Sequence, residues 1–436
     1  MAESKRAQEE SWTEDRAERR LRSLELFGMR FGLDRMRRMM TALGSPERSF
    51  HSIHVLGTNG KSSTTRMTAA ILQRHGLRTG AYLSPHLVSY RERVLIGGSE
   101  LEPRAFASAV AKASWALEHV NRTLDEDDHV TQFELLTAAA LWEMAEQQVE
   151  VAVVEAGLGG RYDATSVIDA RVMVLTNVGL EHTKWLGPTV RDIAEEKLAV
   201  VPEGGTLVLG EDLDPVALEV AERIAGERSA TIVRPVALGH EVSVLARGGF
   251  QRRNFALARA AAAAYLQEIG VPLDEEALAV AAGETFVEGR LQIVEEHPLT
   301  IVDGAHNPHA VRALASELPE LVGDRPLALV LGVLEDKDAA AMLATLLPLC
   351  ERAWFTAPPS GRALSPAALE SLARQLHFDA VARTPQPLKA LMQAREWALE
   401  HDGVVLATGS VYLAGELLGA LEHSEALDSP GRSLAR

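Results

Sequence analysis

Short continuous apolar runs alternate along the chain with longer segments whose apolar positions recur every three or four residues. The runs near 51–56, 79–83, 149–155, 171–176 and 206–209 have the length of strands buried on both faces. Between them, Phe133, Leu136, Ala140, Leu141 and Met144 fall at i, i+3, i+7, i+8 and i+11, one face of a helix. Met67, Ala70 and Ile71 mark another helix, which Gly76 stops, and the alanine-rich segment 255–266 predicts a third. A second series of strands is expected near 291–295, 299–302, 327–331, 352–355 and 403–407, with a helix carrying Val311, Leu314 and Leu318. This alternation predicts an α/β protein whose mostly parallel sheets are wrapped on both faces. The stretch from Trp12 to Leu43 reads as a charged surface helix interrupted at Gly28 and Gly32.

A chain of 436 residues exceeds what one hydrophobic core usually serves, so two domains are expected. The boundary is placed near residue 296, where Glu295, Glu296, His297 and Pro298 make a polar turn, giving a mononucleotide-binding domain at 1–295 and a smaller Rossmann-like domain at 296–436. No internal repeat stands out, and the only biased tracts are the alanine run and the polar tail after Glu422. Cys350 is the single cysteine, which excludes a disulfide framework and points to a reducing cytosol. No apolar run approaches the ~18 residues of a membrane span, and the Glu- and Arg-rich start lacks a signal-peptide core. The formal charge of −17 argues against a general nucleic-acid or membrane-surface binder, so an anionic substrate must be met by locally placed cations. Only seven of the 44 basic residues are lysine, which makes each lysine inside a motif informative: an amine can deprotonate, a guanidinium cannot.

The strongest motif follows the first strand. Gly57-Thr58-Asn59-Gly60-Lys61-Ser62-Ser63-Thr64 is a glycine-bracketed loop that opens a helix. Its backbone N–H groups and the helix N-terminus attract an anion, and Lys61 adds a point charge for the β and γ phosphates. Only two residues separate Gly57 from Gly60, so the loop is shorter than the usual P-loop, and either Ser62 or Ser63 places a hydroxyl on Mg²⁺.

Further polar groups fall at strand ends, where open α/β sheets bind ligands. Val151 to Val154 empties into Glu155-Ala-Gly-Leu-Gly-Gly160-Arg161, which puts a carboxylate suited to Mg²⁺ at a strand tip. The strand at 171–176 leads into Asn177-Val-Gly-Leu-Glu181-His182, so His182 is a candidate metal or phosphate contact. Lys197 lies on a helix starting near Thr189 and by position alone is a solvated helix lysine. In the second domain, Asp303-Gly-Ala-His306-Asn307-Pro308-His309 bunches polar side chains at a strand exit, which favours a ligand contact. Arg290 at the junction, Asp336-Lys337-Asp338, and Gly409-Ser410 with Tyr412 are weaker signals, each more often a turn or a salt-bridged surface.

Together these residues resemble the Mur ligase superfamily, and within it the folylpolyglutamate and dihydrofolate synthases. The matching segments are Gly57 to Ser63, Ser84-Pro-His86-Leu87 with Tyr90-Arg-Glu-Arg93, Thr131-Gln-Phe133-Glu134, Glu155 to Arg161 with Asp163-Ala-Thr165, His182-Thr with Trp185-Leu-Gly187, Glu196-Lys197, Gly289-Arg290, Asp303 to Pro308, Asp336 to Asp338 and Gly409-Ser410. The resemblance implies ATP-driven ligation of L-glutamate to a folate-type carboxylate, either dihydropteroate or a tetrahydrofolate polyglutamate chain, through an acyl phosphate. It implies that Gly57 to Ser63 hold ATP, with Lys61 on the phosphates, and that Ser63, Glu155 and His182 serve two Mg²⁺ sites. Lys197 matches a lysine that becomes carbamylated and supports the second Mg²⁺. Asn254 matches a residue near the adenine, Arg290, Asp303 and His306 match nucleotide contacts, and Ser84, His86, Thr131 and Phe133 fall to the acceptor substrate. Phe133 fits a plain core position equally well. A cytoplasmic monomer without nucleic-acid or membrane partners is expected.

The chain departs from the pattern at three places. Ser62 stands where the family usually has glycine, although serine keeps the N–H; Leu198-Ala-Val200 replaces a common Ala-Gly-Ile; and Glu288 replaces a proline before Gly289. A cell-wall ligase acting on a UDP-linked precursor would need an N-terminal domain of about a hundred residues, and only some fifty precede the loop. A GTP switch would need an Asn/Thr-Lys-x-Asp motif, which is absent. Another Mur-type ligase acting on a non-folate carboxylate is the remaining alternative.

Overall fold

The computed structural model describes residues 12–24 and 32–428, so Gly28 and the end of the polar tail lie outside the described residues. The chain divides into two compact units, one of residues up to Val244 with Arg253–Thr285, the other of Leu245–Arg252 with residues from Phe286 onward.

The first unit is built on eight strands: β1 (His51–Leu56), β2 (Thr79–Tyr82), β3 (Val94–Ile96), β4 (Ser99–Glu100), β5 (Val151–Glu155), β6 (Ala170–Leu175), β7 (Thr206–Leu209) and β8 (Thr231–Val233). Their order is β4-β3-β2-β5-β1-β6-β7-β8, parallel except for the pairings of β3 with β2 and β4. β1 lies between β5 and β6, with Val55 opposite both Glu155 and Val174, so the loops leaving these three strands emerge side by side. Val151 to Val154 are fully buried, which explains their unbroken apolar run. On one face the helices Pro103–Asn121 and Gln132–Glu146 pack Phe106, Val110, Leu136, Leu141 and Met144 into the core. On the other, Ile193, Leu198, Val220 and Ile224 cover Met173 and Leu207.

The second unit carries β9 (Gln292–Glu296), β10 (Leu299–Val302), β11 (Leu327–Leu331), β12 (Arg352–Phe355), β13 (Val381–Arg383) and β14 (Val404–Thr408), in the order β13-β12-β11-β14-β10-β9. All neighbours are parallel except β9 and β10. The polar turn at 295–298, read as the boundary, is the hairpin between β9 and β10: Ile293 sits opposite Ile301, so the second unit already includes the residues before it. Val311, Leu314 and Leu318 are buried on the helix Pro308–Val322, as their spacing requires. Among the described residues no helix is long and apolar enough to cross a membrane.

Candidate active site

The glycine-bracketed loop has the backbone its glycines suggest. Gly57 (φ +145°) and Gly60 (φ +81°) occupy conformations that L side chains rarely adopt, and a Cβ on Gly60 would lie 2.7 Å from Asn254 Oδ1. The loop is fastened to the end of β6. Thr58 N donates to Asn177 O (3.0 Å), Asn59 N to Asn177 Oδ1 (3.0 Å), and Asn59 O accepts from Thr176 Oγ1 (2.7 Å) and Asn177 Nδ2 (3.1 Å). Lys61 Nζ donates to Thr58 O at 3.2 Å, which folds the amine back over the loop. The helix Lys61–Arg74 starts at Gly60 without a side-chain cap, leaving its positive end to attract an anion.

Glu155 closes β5 and is 1% exposed. Its Oε1 accepts from Ser62 Oγ at 3.0 Å and its Oε2 from Ser84 N at 2.9 Å, so the carboxylate lies between the phosphate loop and the loop that follows β2. The serine that touches Glu155 is thus Ser62, while Ser63 is buried. His182 sits in the left-handed region as the cap of the short helix Thr183–Leu186, with Nε2 3.6 Å from Glu181 Oε1. Among the described residues no three His, Cys, Asp or Glu converge as a metal cage. Mg²⁺ does not require one, since it commonly takes one or two carboxylates with waters and phosphate oxygens. A strand-end carboxylate beside a serine hydroxyl is the kind of all-oxygen donor set that suits it.

Lys197 overturns its positional reading as a solvated helix lysine. The helix Val190–Leu198, capped by Thr189 and Asp192, turns Ile193, Ala194, Lys197 and Leu198 inward, and Lys197 is 5% exposed. Its Nζ donates to Gly57 O at 2.9 Å. Burial first, and then the charge of Lys61, lower its pKa from 10.5 to about 7. The amine is therefore substantially neutral near pH 7, directly beneath the phosphate loop.

The residues assigned to the acceptor divide by role. Thr131 caps the helix Gln132–Glu146, and Glu134 completes that capping box while pairing with buried Arg35 (Arg35 Nε to Glu134 Oε1, 3.0 Å). Phe133 packs against the core, its ring 6.1 Å from Tyr82 and in contact with Gly157 of the glycine-rich loop. His86 stacks on Tyr90 at 4.3 Å, and its Nδ1 accepts from Arg93 Nε at 3.0 Å. That bond places the ring proton on Nε2, and burial followed by the Arg93 charge lowers the pKa of His86 to about 3. Glu92 holds the same loop by accepting from Leu87, Val88 and Ser89 N–H groups.

In the second unit, Asp303 ends β10 and is 2% exposed. It accepts from Leu291 N (2.8 Å) and Ala305 N (2.7 Å), fixing the backbone on either side of Arg290 and Gly304; burial raises its pKa against the pull of Arg290. Arg290 Nη1 donates to Gly289 O and His306 Nδ1 to Gly304 O, each at 2.9 Å. Asn307 caps the following helix through Ala310 N. Asp336 pairs with Lys337 (3.5 Å) and Arg362 (3.3 Å), a salt-bridged surface.

In the sequence, Asp163 and Thr165 figure only as part of the resemblance, with no role of their own, yet they brace the glycine-rich loop. Asp163 accepts from Leu158 N (2.6 Å), Thr165 N (3.0 Å) and Thr165 Oγ1 (2.5 Å), and Thr165 Oγ1 lies 2.8 Å from His54 Nε2 on β1. The Asp-x-Thr spacing, suited to a side chain bonding the backbone two residues on, was the available signal.

Residues 55–234 match the Mur ligase middle domain and residues 289–411 the glutamate ligase domain of the Mur ligases. The chain is 33% identical over 362 residues to the folylpolyglutamate synthase of Lacticaseibacillus casei, covering 77% of this chain and 84% of that one. It is 32% identical over 404 residues to the dihydrofolate synthase/folylpolyglutamate synthase of Escherichia coli K12, covering 90% of this chain and 91% of the relative. Among solved structures, Mycobacterium tuberculosis folylpolyglutamate synthase complexed with ADP and AMPPCP superimposes with a TM-score of 0.84 at 30% identity, over 92% of this chain and 96% of that one.

Proposed function

The chain belongs to the folylpolyglutamate synthase/dihydrofolate synthase family of Mur ligases, and on that premise we propose that it ligates L-glutamate to a folate-type carboxylate using ATP. The observation that carries this reading is the convergence on one glycine-bracketed loop of Lys61, buried Glu155 and a buried Lys197 whose pKa is lowered to about 7.

In the proposed reaction a carboxylate oxygen of the acceptor attacks the γ-phosphorus of ATP, the bond to the ADP oxygen breaks, and an acyl phosphate forms. The glutamate amine then attacks the acyl carbon, phosphate leaves, and the nitrogen loses a proton. Two anions must approach each other in the first step, so the work of the protein is positioning and charge neutralisation. The loop amides from Thr58 to Ser62 and the helix terminus would hold the β and γ phosphates, with Lys61 swinging from Thr58 O to the γ-phosphate. Glu155, a loop serine and His182 would hold Mg²⁺, which when bound would supply positive charge against the phosphates. Lys197 would accept CO₂ on its neutral amine and become an anion beside the loop. His86, protonated on Nε2, would donate to an acceptor oxygen or ring nitrogen, and Phe133 would offer a face to the pteridine. Asn254 would lie on the adenine side of the loop, and Arg290, Asp303 and His306 would present or orient groups toward the nucleotide.

The test measures phosphate release from ATP with and without L-glutamate, using dihydropteroate and tetrahydrofolate separately, with product masses read by mass spectrometry. Glutamate-dependent release and a product one glutamyl residue heavier are expected. Release indifferent to both glutamate and acceptor would sink the ligase reading.

A further inference from the structure

We propose that Ser62 is a positioning residue whose hydroxyl presets Glu155 for a divalent cation bound with a nucleotide. The inference rests on the ligase reading for the identity of nucleotide and cation, but contacts of this chain's own carry it. The serine looked interchangeable with the family's usual glycine so long as only its N–H mattered. In the fold its hydroxyl has a partner of its own, Glu155 Oε1 at 3.0 Å.

Glu155 is buried at the end of β5, where a carboxylate is costly unless donors meet it. Ser84 N meets Oε2 at 2.9 Å, a bond that constrains that oxygen alone. The Ser62 bond on the other oxygen fixes the plane. The two donors come from different loops: Ser62 from the first turn of the helix behind the phosphate loop, Ser84 from the loop after β2 that also carries His86. The hydroxyl of Ser62 therefore ties the nucleotide loop to the acceptor loop through Glu155. A cation arriving with ATP meets an oxygen already aimed, and the ordering of that side chain is not deferred to the binding step. Ser62 acts through Glu155 and takes no part in bond making.

The test uses the full-length chain and its Ser62→Ala, Ser62→Gly and Ser62→Thr variants, with calorimetric binding of ADP followed as Mg²⁺ is titrated. A charge-assisted hydrogen bond of this kind predicts that Ala and Gly raise the Mg²⁺ midpoint about tenfold once each variant is referred to its own ADP affinity in EDTA. Thr keeps the hydroxyl and should keep the parental midpoint. Melting temperatures within about 3 °C of the parent separate this effect from general destabilisation. A midpoint unchanged in Ala and Gly means the hydroxyl is idle, and a lowered midpoint means it competes with the cation; either overturns the proposal, as does a Thr variant that behaves like Ala. ADP binding by the parent that ignores Mg²⁺ would instead remove the metal reading, and this inference with it.

Discussion

Raising the pH from 6 to 8 at constant dissolved CO₂ should increase the neutral population of Lys197 from about one tenth to about nine tenths, because the amine titrates at about 7. An ordinary lysine at 10.5 would have only about one amine in three thousand neutral at pH 7. Carbamylation needs that neutral nitrogen: its lone pair attacks the carbon of CO₂, one proton leaves the nitrogen, and the neutral amine becomes a carbamate anion. Ligase activity should therefore fall in CO₂-depleted buffer, return on adding bicarbonate, and return more completely at pH 8 than at pH 6. ¹³C-bicarbonate should give a carbamate resonance that Lys197→Ala lacks. Lys197→Ala should lose roughly a hundredfold or more in kcat, and Lys197→Arg should not restore it, since a guanidinium stays protonated and cannot take up CO₂. The same shift has a stability signature. The folded pKa lies below the unfolded value of 10.5, so between about 7 and 10.5 the unfolded chain binds the extra proton and stability rises with pH. Below about 7 the full penalty is present, on the order of 5 kcal/mol before any relaxation of the site. Lys197→Met should lack this rise when the two proteins are unfolded in urea across the window without CO₂. Activity indifferent to CO₂, or full activity in the Arg variant, would refute the carbamate; a parent whose stability follows that of Lys197→Met would refute the lowered pKa.

Three other substitutions probe the surrounding framework. Gly57→Ala forces a side chain into backbone at φ +145° and against the Thr176 hydroxyl that holds Asn59 O, so about 1–3 kcal/mol of strain and a drop in ADP affinity are expected by thermal melting and calorimetry. Glu155→Gln keeps the shape but puts an amide where two donors now point, and kcat should fall roughly a hundredfold at saturating Mg²⁺ with only a modest change in melting temperature. Arg93→Met removes the donor that sets the His86 tautomer, so the acceptor KM should rise about tenfold while the ATP KM holds. Equal changes in both would place Arg93 in general folding instead.

Much of the fold was legible because parallel strands buried on both faces leave continuous apolar runs: β1, β7, β10, β11 and β12 occupy the segments their runs indicate. β3, β4, β8 and β13 have two or three residues each, too few for a pattern to rise above its surroundings. The strand-end rule also singled out the glycine-bracketed loop, Glu155 and the Thr176–His182 segment, and the order β5-β1-β6 puts all three at one edge of the sheet, because neighbouring parallel strands release their loops there.

The pairings inside that edge were not legible, because they depend on how far each side chain turns toward a partner distant in sequence. Ser62 and Ser63 are equivalent as letters, yet one faces Glu155 and its neighbour is buried. Lys197 shows where a stronger inference was available. Position alone made it solvated, but Ile193, Ala194, Lys197 and Leu198 fall at i, i+1, i+4 and i+5, a single apolar stripe of the helix Val190–Leu198. A lysine centred on such a stripe either extends its stem to reach water or is buried with its amine. The glycine-rich loop around Gly160 approaches the carbonyls of Glu196 and Lys197 too closely for even a Cβ to fit without movement, so the backbone at Lys197 is itself held against that loop. Burial of the amine then follows from packing, its lowered pKa follows from burial, and the proposed carbamate would draw on that lowered pKa.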